Sequence, residues 1–198
     1  MMLRKLFFVA VALVMAACQD EGSRNGDDLF RRGKFNEAIQ AYNEYLKYNP
    51  GHVKSIYNRG RAYEELEDYA NALADFTEVV KIDPTSSSAL SSIGNHFLRL
   101  KNYEQAKYYF SEAVKVNERY AEAWYLLGRS EHSLGNTEVA INHYNAAINL
   151  DKKLGDAYLY RGVLKALSKK NKSACSDFNM AKTLGAKEAD KAISTYCR

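Results

Sequence analysis

The residues of this 198-residue sequence best suited to chemistry are three cysteines and four histidines. They are Cys18, Cys175 and Cys197, and His52, His96, His132 and His143. Cysteines can carry a covalent group or a disulfide, and histidines can bind a metal. The histidines follow no ligand spacing, so no metal site is predicted. We find no G-x-S-x-G motif, acid–base pair or phosphate-binding loop, and therefore predict neither a catalytic residue nor a cofactor.

The N-terminal segment has the pattern of a cleaved signal peptide. Arg4 and Lys5 precede twelve uninterrupted apolar residues, from Leu6 to Ala17, and Cys18 follows directly. An apolar run this short does not span a bilayer, which needs about 20 residues. A basic start, a short apolar run and small residues at its end are typical of a secretory signal. We predict that residues 1–17 are removed.

Residues Met15-Ala16-Ala17-Cys18 resemble the lipobox of bacterial lipoproteins. The resemblance implies that the thiol of Cys18 is acylated and holds the protein on a membrane. The alternative is an ordinary signal peptide with an incidental cysteine. The following Gln19-Asp20-Glu21 resembles the export signal of some surface lipoproteins. We therefore expect a lipid anchor in the bacterial outer membrane, on its periplasmic face or at the cell surface.

A 34-residue repeat must position the remaining side chains. Glycine, alanine and aromatic residues each recur five times at that spacing, and the two prolines, Pro50 and Pro84, are also 34 apart. The three columns are Gly26, Gly60, Gly94, Gly128 and Gly162; Ala38, Ala72, Ala106, Ala140 and Ala174; and Tyr42, Phe76, Phe110, Tyr144 and Phe178. Recurrence at one fixed period predicts a stack of equivalent structural units.

The period and the residue types resemble the tetratricopeptide repeat. The residues Gly60-Arg61-Ala62-Tyr63, Ala72, Phe76 and Asp83-Pro84 carry that pattern, and Trp124, Leu127 and Gly128 repeat its start. The resemblance implies an all-α, right-handed superhelical solenoid of about five helix-turn-helix repeats with a C-terminal capping helix. The implied repeats are 19–52, 53–86, 87–120, 121–154 and 155–188, and the cap is 186–198.

The first repeat departs from the pattern. Gly22, Ser23, Asn25 and Gly26 favour helix poorly, so its first helix is expected to begin near Asp27. Residues 18–26 would then form a flexible lipidated tether, and 27–188 the folded repeats. At the turns inside later repeats, side-chain oxygens of Asp68, Asn102 and Asn136 are expected to cap the second helix.

Two cysteines remain after lipidation of Cys18. Cys175 falls early in the last repeat helix and Cys197 at the end of the capping helix, so antiparallel helices would bring them together. An even number of cysteines in an exported chain favours a disulfide, while two separate thiols are the alternative.

In the tetratricopeptide-repeat family the first helix of each repeat lines the binding groove. Carried onto this sequence, that rule gives several positions in each repeat, and from these we select eight candidate partner-binding residues. Among them, Tyr57 and Arg61 recur as Tyr125 and Arg129. The set is Lys54, Tyr57, Arg61, Asn95, Arg99, Tyr125, Arg129 and His132. Tyrosine and arginine are enriched at binding hot spots. The family's carboxylate-clamp positions hold Ser23, Asp27, Asn58, Ser88 and Ser92, of which only Asn58 fits, so no such clamp is predicted.

These observations predict a lipid-anchored, non-catalytic scaffold that binds another envelope protein or a peptide in its groove. The alternative is a surface lipoprotein that captures a small ligand or nutrient. The formal charge of +4 is small and gives no support for nucleic-acid binding, which usually needs a clustered basic face, so no nucleic-acid partner is predicted.

Overall fold

The computed structural model describes residues 21–197. Cys18, the predicted signal peptide and the start of the predicted tether lie outside the described residues. Within 21–197 the regular elements are eleven α-helices and no strands, which confirms the predicted all-α class. The helices are α1 (Glu21–Arg31), α2 (Phe35–Tyr48), α3 (Val53–Glu65), α4 (Tyr69–Ile82), α5 (Ser87–Arg99), α6 (Tyr103–Val116), α7 (Ala121–Ser133), α8 (Thr137–Leu150), α9 (Gly155–Leu167), α10 (Asn171–Thr183) and α11 (Ala189–Tyr196).

The helices divide into two compact units, one ending at Pro84 and one beginning at Thr85. In unit 1 each of helices α1 to α4 packs on the next, and α1 also contacts α3. In unit 2 each of helices α5 to α11 packs on the next, and α11 also contacts α9. The odd-numbered helices α1 to α9 are the first helices of the five helix-turn-helix pairs. We call the surface that they form within each unit its A-helix surface.

The glycine and aromatic columns explain how the two helices of a pair approach each other. A Cβ atom built on Gly60, Gly94, Gly128 or Gly162 would lie 2.6–2.8 Å from the aromatic ring 16 residues later in the same pair. Those rings, and Tyr42 in the first pair, are at most 1% exposed. Glycine therefore allows each helix to lie directly on the ring, so the 34-residue period encodes one packing unit.

Helix α1 begins at Glu21, so the expected start near Asp27 and the tether over residues 18–26 are wrong in their extent. The small residues that weaken helix propensity are used for packing. Ser23 is 2% exposed, and its Oγ accepts a hydrogen bond from the Ser55 hydroxyl at 3.1 Å. Gly26 lies against the Tyr42 ring where a Cβ would clash. Tertiary packing thus outweighs propensity here.

Two of the three expected side-chain caps are present. The Asp68 carboxylate and the Asn102 amide oxygen each accept a hydrogen bond, 3.3 Å long, from a backbone N–H three residues later. Asn136 does not cap α8, contrary to expectation. Its Nδ2 instead donates to the Glu131 carboxylate at 2.6 Å.

An arginine triad ties three successive helices together in each unit. In unit 1 the Arg59 guanidinium on α3 donates to Asn43 on α2 at 2.7 Å and to both carboxylate oxygens of Asp75 on α4. Unit 2 repeats the arrangement 102 residues later with Asn145, Arg161 and Asp177 on α8, α9 and α10. The shared spacing of three repeats identifies the triads as equivalent structural contacts.

The C-terminal helix α11 occupies the middle of the segment 186–198 in which a capping helix is predicted. It packs on α9 and α10 through an apolar cluster that includes Phe178, Ala189 and Ala192. A disulfide joins Cys175 on α10 to Cys197, with their Cα atoms 5.7 Å apart. The end of the last helix is therefore covalently held against α10.

Candidate functional site

A half-buried carboxylate organises the A-helix surface of unit 1. Asp27 on α1 accepts hydrogen bonds from Tyr42 and Asn58 at 2.8 Å each, and from Lys54 at 2.6 Å. Lys54, predicted to contact a partner, is thus engaged inside the protein, although its side chain remains 63% exposed. The side-chain amide of Asn58 is likewise engaged, because it donates to Asp27.

The electrostatics of Asp27 follow from these contacts. Burial by itself would raise the pKa of this carboxyl, but the hydrogen bonds from Lys54, Tyr42 and Asn58 outweigh it and lower the pKa. Burial, followed by the contact with the Asp27 carboxylate, raises the pKa of the Tyr42 hydroxyl. The tyrosine therefore stays a neutral donor and the aspartate a charged acceptor at neutral pH.

Arg61 covers an aromatic ring on the same surface. Its guanidinium carbon lies 4.8 Å from the centroid of Phe30 on α1, while the Tyr57 ring packs on Phe76 with centroids 5.5 Å apart. An open cavity of about 480 Å³ is lined by Arg61, Phe30, Tyr42, Asp27 and three further polar residues. Sequence reasoning found Arg61 but missed Phe30, which provides the surface on which the cation lies.

Three tyrosines form a cluster on α7, α8 and α9 of unit 2. The ring centroids of Tyr125, Tyr144 and Tyr160 are 6.1–6.3 Å apart in each pairing. Tyr125 is only 9% exposed, so the predicted contact residue belongs mainly to the core. The Tyr144 hydroxyl is buried and has no hydrogen-bond partner within residues 21–197. We call these three residues the tyrosine cluster.

Arg129 lies over the tyrosine cluster. Its guanidinium carbon is 5.3 Å from the Tyr160 centroid and 5.9 Å from the Tyr125 centroid. Both distances are in the range of cation–π attraction. His132, one turn further on α7, makes an edge contact with Tyr160 at 6.3 Å. Burial, and then the charge of Arg129, lower the pKa of His132, which keeps its imidazole neutral at pH 7.

The remaining candidates, Asn95 and Arg99, are exposed on α5 and are not members of the tyrosine cluster. In unit 2 the structure therefore brings Tyr125, Arg129 and His132 together around Tyr160. Tyr160 was missed because only its neighbours stand at the family's groove positions. The repeat spacing could have identified it, because Tyr160 lies 102 residues after Asn58, the residue that contacts Asp27 in unit 1.

A second, smaller cavity adjoins the tyrosine cluster. It holds about 280 Å³ between α9 and α11 and is lined largely by Leu159, Tyr160 and Val163 on one side and by Ala192 and Tyr196 on the other. Glu188, Lys191 and Thr195 contribute the polar part of its lining. We call it the α9–α11 cavity. No sequence pattern predicted it, because it depends on how the last helix packs.

The described residues also bear on metal binding and on membrane insertion. Residues 21–197 contain no group of three or more histidine, cysteine or acidic side chains placed to hold a metal ion. The same residues include no helix both long enough and apolar enough to cross a membrane.

Comparison with known proteins places these observations in a family context. The sequence profile of the tetratricopeptide repeat matches residues 24–87 and 92–157. Comparison with curated protein sequences gives no significant match.

Solved structures of similar fold span most of the chain. A crystal structure of MamA is 27% identical, with a TM-score of 0.72, over 83% of this chain and 96% of that one. YrrB, described as a TPR protein with an unusual peptide-binding site, is 20% identical with a TM-score of 0.70, covering 87% and 89%. PilF of Pseudomonas aeruginosa is 14% identical with a TM-score of 0.79, covering 91% and 89%. The latter two similarities concern the fold.

Proposed function

Because the chain belongs to the tetratricopeptide-repeat family, we propose that it is a non-catalytic scaffold that binds a peptide or protein partner through its A-helix surfaces. We further propose that the partner is a component of the bacterial envelope and that a lipid on Cys18 holds the scaffold at the outer membrane. The family membership supports protein binding in general, and the peptide-binding site named for YrrB gives a precedent within this fold.

The observation that carries the proposal is the state of two arginines. Arg61 and Arg129 each lie over aromatic rings and make no ion pair within residues 21–197. By contrast, Arg59 and Arg161 are fully engaged by aspartates. A guanidinium that is oriented by a ring and lacks an internal carboxylate is well suited to pair with a carboxylate of a partner.

Chemical cross-linking in intact envelopes tests partner binding. The full-length protein is compared with a double variant, Arg61→Gln with Arg129→Gln, and a matched control, Arg32→Gln with Arg119→Gln, which changes two exposed arginines. We expect the native protein and the control to capture the same envelope protein and the double variant to lose it. Equal capture by all three would place binding elsewhere and overturn the proposal.

The lipid anchor is tested separately. Cells that express the native chain or Cys18→Ser are labelled with radioactive palmitate, and their membranes are fractionated. We expect label and outer-membrane recovery for the native chain only, since several acyl chains give stable anchoring. Absence of label from the native protein would remove the anchor while leaving the peptide-binding proposal intact.

Capture of a small ligand remains the second candidate, favoured by the aromatic lining of the α9–α11 cavity. Its volume of about 280 Å³ lies just below the range of ligand pockets, about 300–1,000 Å³, and suits a single apolar side chain. Thermal unfolding with small ligands tests this function: a concentration-dependent rise in Tm, lost in a cavity-filling Val163→Phe variant, would favour it.

A further inference from the structure

We propose that unit 2 recognises a peptide in which an apolar side chain fills the α9–α11 cavity while a carboxylate two residues away pairs with Arg129. This inference rests on the proposed function and specifies the chemistry of the partner. It joins two features that neither the repeat pattern nor the comparisons assign as a site.

The cavity accounts for the apolar half of the motif. Leu159 and Ala192 in its walls are at most 7% exposed, and Val163 and Tyr196 are partly buried against the same apolar cluster. The Lys191–Glu188 pair, 3.6 Å apart, is exposed, so the charged part of the lining faces solvent. Because the cavity is small and has apolar walls, binding is favoured most when a hydrocarbon or aromatic side chain replaces the water inside it.

Arg129 is the group that would pair with the acidic half of the motif. Its guanidinium is placed by the rings of Tyr125 and Tyr160 and makes no ion pair with Asp156 on α9 or with any other described carboxylate. Holding the guanidinium in place reduces the conformational entropy lost when a ligand binds. Two of its N–H groups are suited to a bidentate contact with a carboxylate.

Tyr160 links the apolar and acidic halves of the proposed motif. One side chain both lines the α9–α11 cavity and lies under Arg129. The two binding features therefore adjoin one tyrosine side chain. In an extended peptide, side chains two residues apart lie on the same side and roughly 7 Å apart, so such a pair can reach two neighbouring features.

Comparison of equivalent repeats supports an external carboxylate. Tyr42 and Asp27 in unit 1 are bonded at 2.8 Å, and the residues 102 positions later are Tyr144 and Arg129. Unit 2 thus keeps the buried tyrosine but replaces the internal carboxylate by a cation. The Tyr144 hydroxyl is left without an acceptor in the described residues. The cation that replaces the internal carboxylate is therefore the group in this cluster with which an external carboxylate can pair.

The test measures binding of defined peptides to the full chain in detergent micelles by fluorescence anisotropy. The probes are fluorescein-labelled, with blocked ends, and contain Asp-Gly-Phe or Phe-Gly-Asp between glycines. Matched probes carry Asn for Asp or Ala for Phe. The protein variants are Arg129→Gln, which removes the charge, Val163→Phe, which fills the cavity, and the control Arg119→Gln. Circular dichroism melting establishes that each variant is folded.

We expect at least one acidic probe to bind the native chain and the control about tenfold more tightly than its Asn counterpart. Arg129→Gln should abolish this difference, and Val163→Phe should abolish the preference for Phe over Ala. Equal binding of the Asp and Asn probes, or a preference for Phe that persists in Val163→Phe, would overturn the inference, as would no binding by any probe.

Failure here is distinguishable from failure of the proposed function. If cross-linking in envelopes recovers a partner that the single variant Arg61→Gln loses and Arg129→Gln retains, the scaffold function stands and this site does not. If neither the single variants nor the double variant lose the partner, both proposals fall.

Discussion

Arg59 and Asp75 form a two-point ion pair in which Nε lies 2.8 Å from Oδ2 and Nη2 lies 2.6 Å from Oδ1. The Asp75 side chain is 9% exposed and that of Arg59 is 23% exposed. With Asn43 completing the contacts of the guanidinium, this geometry binds three helices at one point. Its counterpart in unit 2 adds Lys165, which donates to Asp177 at 2.8 Å.

Replacing the arginine of a triad should destabilise the protein substantially. Arg59→Ala leaves the Asp75 carboxylate buried and uncompensated, and we expect a loss of about 2–4 kcal/mol in the free energy of unfolding. Urea unfolding measures it, with Arg119→Ala as the exposed control, expected within about 0.5 kcal/mol of native. Because removal of both charges is less costly than removal of one, Arg59→Met with Asp75→Leu should recover part of the loss. A loss no larger than that of the control would contradict this role.

The Asp27 carboxylate should make stability depend on acidic pH. Its pKa in the folded protein is lowered from the ordinary 3.8, so the unfolded chain binds the proton more readily. The stabilisation is therefore complete above 3.8 and is lost as pH falls through the lower, folded pKa. Urea unfolding from pH 7 to pH 3 should show Asp27→Asn to be less stable than native at pH 7, with the difference narrowing only below about pH 4. A constant difference across that range would refute it.

The equivalent tyrosines Tyr42 and Tyr144 should respond oppositely to loss of the hydroxyl. Tyr42→Phe removes the donor to Asp27 and should cost about 1 kcal/mol. Tyr144→Phe removes a buried hydroxyl without a partner, so the free energy of unfolding should stay level or rise by about 1 kcal/mol. Each variant is the control for the other in thermal and urea unfolding. Equal losses would indicate that the Tyr144 hydroxyl has an acceptor in solution.

The disulfide should stabilise unit 2 and preserve the α9–α11 cavity. Cys175 and Cys197 are 22 residues apart in sequence, and a loop of that size contributes about 3 kcal/mol by restricting the unfolded chain. Cys175→Ser with Cys197→Ser should lower stability by about that amount and weaken binding of the acidic Phe probes, because α11 forms one wall. Treating the native chain with a reductant should lower its stability and its affinity for these probes by the same amounts as the double substitution. Unchanged affinity after loss of the bond would show that the wall is held by packing alone.

The fold was largely predictable because the glycine, alanine and aromatic columns all recur with the same repeat spacing. Gly94 with Phe110 and Gly162 with Phe178 each encode the same helix contact, and such redundancy survives local deviations. The start of α1 was mispredicted because the propensities of Gly22 and Gly26 describe an isolated helix, whereas their contacts with α2 decide the outcome. The amino-acid composition of a short segment does not indicate its tertiary contacts with another helix.

The candidate site was only partly predictable. Family positions located Arg61 and Arg129, but not the rings of Phe30 and Tyr160 that hold them, since those rings come from a neighbouring helix. Tyr125 shows the converse, because a groove position can turn inward when neighbouring aromatic residues provide a cluster for it. The α9–α11 cavity depends on the placement of the last helix, which departs from the period altogether.

The arginine triads also bear on how the molecule comes apart. Stability in a stacked-repeat protein is approximately a sum of terms for each repeat and for each interface between neighbours. Asn145, Arg161 and Asp177 lie on three successive helices from two neighbouring repeats, so one guanidinium contributes to an intra-repeat term and an interface term together. Fraying of α10 as far as Asp177 therefore leaves Arg161, whose side chain is 15% exposed, without its carboxylate partner. The triads raise the cooperativity of unfolding within each unit and slow proteolysis that depends on partial opening.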